Sequence, residues 1–203
     1  MIPLPEYAKI KDNYCIAYYG YSKEYLTQLR LLRPQLEASF PGIRIYLCSR
    51  DDMQYLLKDE PRTLNKTKLL SDKYQFAYIR EISYKDGEHP VEKLFTESDI
   101  KISPITRNSG KYGVATLITN GNHPTRSLSH KQINAASQYI ASKGCLYEIN
   151  KDFNNFEWAI GVESDQLYEA AAAGKKVTLI STGNGDNLFA NMFPNAEILR
   201  LES

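Results

Sequence analysis

Residues 161–182, GVESDQLYEAAAAGKKVTLIST, constrain the fold of this chain more than any other stretch. An apolar run is followed by the polar turn 163–165, where Ser or Asp is suited to cap a helix because its side-chain oxygen accepts a free backbone N–H. An Ala-rich segment then ends at Gly174, which tolerates the left-handed backbone of a helix end. The apolar run 177–180 reads as a buried strand. This pattern predicts a strand, a sharp turn, a short helix and a second strand.

The same alternation recurs along the chain, and it predicts a doubly wound α/β fold with a mostly parallel sheet and helices on both faces. We expect a single domain over residues 1–203, with the loop at 103–112 as the place where two βαβ halves would divide. Pro34 is expected to kink or break the first helix near Arg33. About eight strands are predicted, at 14–19, 43–47, 76–82, 113–119, 145–149, 158–162, 177–180 and 196–201. Helices are predicted at 22–40, 89–100, 127–142 and 188–192 and between the turn 163–165 and Gly174, whereas 59–73 is ambiguous.

Three polar turns follow predicted strands, at 120–127, 163–166 and 182–187. Ligands of open α/β sheets bind at the carboxyl ends of the strands, so we expect these turns to hold the site if they meet there. His123 is a candidate base or phosphate donor near neutral pH. Asp186 is a candidate contact to an acceptor hydroxyl.

Arg126 and Asn122 are candidate substrate-binding residues in the first of these turns. Arg126 is suited to an anion, since a guanidinium holds phosphate through two hydrogen bonds. Each of these residues also has a simpler interpretation. His123 can be an ordinary loop histidine, Asp186 a turn-forming residue and Arg126 a solvated residue at a helix start. The sequence alone leaves both interpretations open.

The segment 164–177 resembles the donor-binding segment of GT-B glycosyltransferases and the related UDP-N-acetylglucosamine 2-epimerases. The shared pattern is a polar turn, Glu-Ala, a small residue, Gly and a hydrophobic strand. The resemblance implies a Rossmann-like, GT-B-like fold, with Ser164 and the residues after it, Asp165 and Gln166, on the diphosphate side and Glu169 on the nucleotide ribose. Glu169 can equally be a solvated helix residue near the positive end of the helix dipole.

The sequence departs from this family pattern at two places. Asp165 stands where the family often has Gly, and Lys175-Lys176 stands where it often has Pro. A carboxylate beside a diphosphate is unfavourable unless it faces away.

Charge and composition limit the classes of molecule that this protein is expected to bind. A net charge of +1 argues against a bulk electrostatic contact with nucleic acid. No apolar run is long enough for a membrane span and no signal peptide is recognised, so we expect a cytoplasmic protein. Cys15, Cys48 and Cys145 are expected to be buried free thiols, and His89 and His130 surface residues. Neither a metal site nor a cofactor is predicted.

The resemblance favours an enzyme that transfers a sugar from a nucleoside diphosphate sugar to an unknown acceptor. GT-B enzymes usually have two Rossmann-like domains with the site between them, and this chain has room for one and a half at most. Either the sheet is a minimal or fused version, or a homo-oligomer or partner subunit supplies the other wall of the site. The alternative is a non-catalytic GT-B-like binding or assembly module, which Asp165 favours. A third interpretation is another doubly wound protein, such as a nucleotide-binding regulator, because fold does not fix function.

Overall fold

The computed structural model describes residues 15–71, 76, 78–82, 88–105, 110–121, 126–182 and 186–201. The chain divides into two compact units, Met1–Ile102 and Ser103–Ser203. Each unit contains one parallel sheet and the helices that connect its strands.

The first unit carries a four-stranded sheet in the order β3-β2-β1-β4. All three strand pairs are parallel, and the central strand β1 pairs Ala17 with Tyr46 of β2 on one side and with Ile79 of β4 on the other. The strands are β1 (Cys15–Gly20), β2 (Arg44–Ser49), β3 (Thr63–Asn65) and β4 (Tyr78–Ile82). The helices are α1 (Lys23–Ser39), α2 (Lys66–Ser71) and α3 (Pro90–Glu97), and a 3-10 turn spans Asp51–Leu57.

Helix α1 runs through Pro34 without the expected break, and a kink at Pro34 stays a prediction. It begins at Ser22, whose hydroxyl accepts a hydrogen bond from the Tyr25 backbone N–H at 3.1 Å. Apolar side chains at three- and four-residue spacing form a stripe that is fully buried, as the sequence predicts: Leu26, Leu29, Leu32 and Leu36. Because these contacts lie on both sides of Pro34, packing outweighs the one backbone hydrogen bond that the proline removes.

The second unit carries a five-stranded, all-parallel sheet in the order β6-β5-β7-β8-β9. Its core holds Leu117, Ala136, Ile140, Trp158 and Ile160, all fully buried. The strands are β5 (Ala115–Ile118), β6 (Tyr147–Ile149), β7 (Trp158–Gly161), β8 (Lys176–Ile180) and β9 (Glu197–Leu199). The helices are α4 (His130–Ser142), α5 (Asp165–Ala172) and α6 (Asp186–Met192), and a 3-10 turn spans Phe153–Asn155.

The α/β class and the parallel pairing predicted from the sequence are confirmed. The strands are divided between two sheets, whereas the sequence pattern predicts about eight strands in one. The ambiguous segment 59–73 contains the short strand β3 and the helix α2. That residues 1–203 act as one domain stays a prediction.

Candidate functional site

The strand order of the second sheet defines a switch point between β5 and β7. From β5 the chain crosses through α4 to β6 on one side, and from β7 it continues through α5, β8 and α6 to β9 on the other. Crevices at such points are where open α/β sheets bind ligands. Because β5, β7 and β8 are parallel neighbours, the turns that follow them lie at the same carboxyl edge. The described residues of the three predicted polar turns, which are 120–121, 126–127, 163–166, 182 and 186–187, therefore lie at one edge of one sheet.

The turn after β5 folds back on itself. Asn120 and Ser127 form an antiparallel bridge, and the Gly121 N–H donates a hydrogen bond to the Arg126 carbonyl at 2.9 Å. This return brings Arg126 back to the end of β5, where it is 4% exposed.

Arg126 forms an ion pair with Glu163, which lies in the turn after β7. The Arg126 Nη1 atom lies 2.8 Å from the Glu163 Oε2 atom. The Tyr168 hydroxyl, on α5, donates a hydrogen bond to the Glu163 Oε1 atom at 2.6 Å. All three side chains are buried. One carboxylate thus connects the turn after β5, the turn after β7 and helix α5.

Sequence reasoning did not identify this network. The sequence indicates Arg126 alone, as an anion ligand, and predicts no partner for Glu163 or Tyr168. Arg126 and Glu163 are distant in the sequence and meet only because β5 and β7 are neighbours. No local pattern carries that information.

Helix α5 begins at the crevice, with Ser164 as its N-cap. Ser164 has an extended backbone (φ −159°, ψ 161°), and its hydroxyl accepts a hydrogen bond from the Leu167 N–H at 3.3 Å. Leu167 and Ala170 are fully buried, so the helix packs closely through small and apolar side chains. The helix is followed by Gly174 at φ +80°, as the sequence predicts.

Asp165, Gln166 and Glu169 lie on the first turns of α5, and each is half-buried. The Gln166 Oε1 atom is buried and has no hydrogen-bond partner among the residues that the structure describes. A buried carbonyl oxygen without a donor is costly, so this position favours a ligand that presents an O–H or N–H group.

Asp186 begins α6, after β8. Its Oδ2 atom accepts a hydrogen bond from the Ser181 hydroxyl at 2.5 Å, which holds the carboxylate beside the end of β8. Asn122 and His123 lie outside the described residues, so their roles stay predictions. The predictions of no metal site and no cofactor also stay predictions.

The first sheet has its own switch point, between β1 and β4. Near the end of β1, α1 begins and carries Glu24, which is 1% exposed. The His89 Nε2 atom lies 3.7 Å from the Glu24 Oε1 atom, and its Nδ1 atom accepts the Glu92 N–H at the start of α3. Because Nδ1 accepts, the ring proton lies on Nε2 and faces Glu24. The His89 side chain is buried, contrary to the expectation of a surface residue, whereas His130 is exposed as expected.

The fold is similar to that of two solved glycosyltransferases. One is TibC, a bacterial iron-containing dodecameric glycosyltransferase from enterotoxigenic E. coli, with a TM-score of 0.56 and 12% identity over 95% of this chain and 63% of the TibC chain. The other is the E. coli heptosyltransferase WaaC, with a TM-score of 0.41 and 8% identity over 93% of each chain. No protein-family model matches the sequence, and no curated protein matches it.

The likeness to TibC confirms the predicted GT-B glycosyltransferase resemblance at the level of the fold. This chain spans less than two thirds of the TibC chain. Within the described residues, every helix is too short or too polar to cross a lipid bilayer. The cytoplasmic location stays a prediction.

Proposed function

We propose that this chain binds a nucleoside diphosphate sugar at the carboxyl edge of its second sheet and transfers the sugar to an acceptor. The observation that carries the proposal is the position of helix α5. It begins at the switch point between β5 and β7, within the segment that resembles a GT-B donor site. The similarity of this fold to that of TibC, a glycosyltransferase, supports the same proposal.

The diphosphate would lie at the start of α5. The first backbone N–H groups of a helix have no partner within the helix, and the helix dipole adds a partial positive charge there. Phosphate groups bind at such positions through backbone amides. Ser164 fixes the start of the helix, and Asp165 and Gln166 supply the first amides of α5.

The nucleoside would lie along the first turns of α5. Glu169 lies about one helical turn from the start, where a carboxylate can accept hydrogen bonds from the two ribose hydroxyls. The buried Oε1 atom of Gln166 offers a further acceptor for a ligand donor.

Transfer would break the bond between the sugar carbon and the diphosphate oxygen and form a bond from that carbon to the acceptor oxygen. The charge that develops on the leaving diphosphate is stabilised by the fixed amides at the start of α5. A base must take the proton of the acceptor hydroxyl. Asp186 and His123 are the proposed candidates, and Asp186 is already oriented by Ser181.

Nucleotide binding tests this proposal. UDP, GDP, ADP and CMP are titrated calorimetrically against the wild type and Glu169→Ala. We expect a nucleoside diphosphate to bind, and the variant to bind it at least about tenfold more weakly because a charged hydrogen bond is lost. Glu148→Ala, which removes an exposed carboxylate on β6, is the matched control. Failure of every nucleotide to bind folded protein would refute the donor site.

A non-catalytic module is the second candidate, and Asp165 is the observation that favours it. This carboxylate occupies the first position of α5, where it competes with a phosphate for the positive end of the helix. Turnover distinguishes the candidates. Release of a nucleoside diphosphate from its sugar nucleotide, with a panel of acceptors, supports the enzyme, whereas binding without release supports the module.

A homo-oligomer or a partner subunit is also part of the proposal. Light scattering of the purified chain, with and without the nucleotide that binds, would detect a second copy. A monomer that turns over the donor by itself would exclude the need for one.

A further inference from the structure

The buried ion pair at the β5–β7 crevice bears on how the proposed site recognises charge. Arg126 is the cation that the sequence suggested as a phosphate ligand, yet its Nη1 atom lies 2.8 Å from Glu163. Both side chains are nearly fully buried, with side-chain exposures of 5% and 2%. Buried pairs are screened little by solvent, so this attraction is strong and local.

Glu163 is held on its other side as well. Its Oε1 atom accepts the Tyr168 hydroxyl at 2.6 Å, and Tyr168 is fully buried on α5. Moving Arg126 away from this carboxylate would leave a buried charge without its partner, which is strongly unfavourable. The carboxylate is therefore fixed in place, and so is the guanidinium paired with it.

We propose that Glu163 is a positioning and specificity-determining residue that neutralises Arg126, so that the anion is held by the amides of α5 and not by the guanidinium. The pair contributes no net charge to the crevice. A site that holds phosphate through neutral donors discriminates weakly between ligands of different charge, and its affinity depends only modestly on salt. The inference rests on the proposed function, because it concerns the same edge of the sheet.

The test removes the neutralising carboxylate and then the cation. Glu163→Gln keeps the shape of the side chain and removes the negative charge that faces Arg126. We expect the nucleoside diphosphate that binds the wild type to bind this variant about tenfold more tightly, with a steeper dependence on salt. In Arg126→Gln/Glu163→Gln the gain should disappear and the dissociation constant should return to that of the wild type. Glu157→Gln, an exposed site before β7, is the matched control.

The double variant decides between the two roles of Arg126. It replaces a buried ion pair that has no net charge with two uncharged amides. The substitution therefore removes both members of the pair together. If the double variant binds the ligand about tenfold more weakly than the wild type, Arg126 itself holds the anion, and the inference is overturned. A folded Glu163→Gln variant without any gain would overturn it too.

Inorganic pyrophosphate is the second probe, and it separates this inference from the proposed function. If no nucleotide binds the wild type, the donor site is refuted. Pyrophosphate binding that appears in Glu163→Gln and is lost in the double variant would still support the neutralisation of Arg126. If pyrophosphate binds neither the wild type nor folded Glu163→Gln, the neutralisation is refuted as well.

Discussion

Gly161 lies where the ends of β5 and β7 leave no room for a side chain. A Cβ atom built at this position would lie 2.2 Å from the Ile118 carbonyl oxygen and 2.6 Å from the Ile118 Cβ atom. Ile118 is the partner of Gly161 in the strand pair. Only a residue without a side chain allows the ends of the two strands to pair. The switch point lies at these strand ends.

Gly161→Ala is expected to destabilise the protein by about 2 kcal/mol or more, because the methyl group forces the strand ends apart. Chemical denaturation measures the loss. Gly20→Ala is the graded control, since its nearest contact is the Leu26 side chain at 3.3 Å. Equal stability of Gly161→Ala and the wild type would mean that β5 and β7 are not held at this spacing.

Cys48 and Cys145 differ at the residue scale, and the side chain of Cys15 lies outside what the structure describes. Cys48 is a buried free thiol on β2, as expected, and burial raises its pKa to about 12. Cys145 is a free thiol but is half-buried, contrary to the expectation of burial. It precedes β6, an edge strand whose residues are all exposed, and an apolar run in the sequence does not distinguish an edge strand from a central one.

At the scale of elements, Lys175 explains one departure from the glycosyltransferase pattern. Its ammonium donates hydrogen bonds to the carbonyl oxygens of Phe153, Asn154 and Phe156, at 2.8, 3.0 and 2.5 Å. Two of these carbonyls lie in the 3-10 turn before β7 and the third is on Phe156, which follows it, so Lys175 connects this segment to the start of β8. A proline at this position would lack the ammonium.

Lys175→Met is expected to lower the free energy of unfolding by about 1.5 kcal/mol, because hydrogen bonds to a charged group are worth about 1.5–3 kcal/mol and this half-buried site lies at the low end of that range. Thermal and urea unfolding measure the change. Lys151→Met removes an exposed ammonium nearby and serves as the control. If both variants lose the same stability, the carbonyl contacts contribute nothing specific.

At the scale of the whole molecule, each unit contains a carboxylate whose pKa is shifted. Burial raises the pKa of Glu37 in the first unit, but hydrogen bonds from Arg62 and Arg33 outweigh it and hold that pKa below its usual value. In the second unit burial likewise raises the pKa of Glu197, but hydrogen bonds from Tyr139 and Tyr112 lower it overall.

Both shifts predict loss of stability in acid. A carboxylate with a lowered pKa in the folded state stabilises the protein above its unfolded pKa of about 4.3, and this contribution is lost as the pH falls through the lower, folded value. We expect the free energy of unfolding to decline below about pH 4.3 and the decline to be shallower in Glu197→Gln and Glu37→Gln. Urea unfolding at a series of pH values measures it. Unchanged acid profiles in both variants would contradict the assigned hydrogen bonds.

The amino-acid sequence predicts the α/β class, the positions of most strands and helices, a helix cap within 163–165 and the helix stop at Gly174. These features depend on local periodicity and on the chemistry of single residues, which the sequence contains. The tertiary structure decided the division of the strands between two sheets, the continuity of α1 through Pro34 and the burial of His89. It also decided the pairing of Arg126 with Glu163, because that contact exists only once β5 and β7 are neighbours. Strand order depends on long-range packing, and local patterns do not encode it.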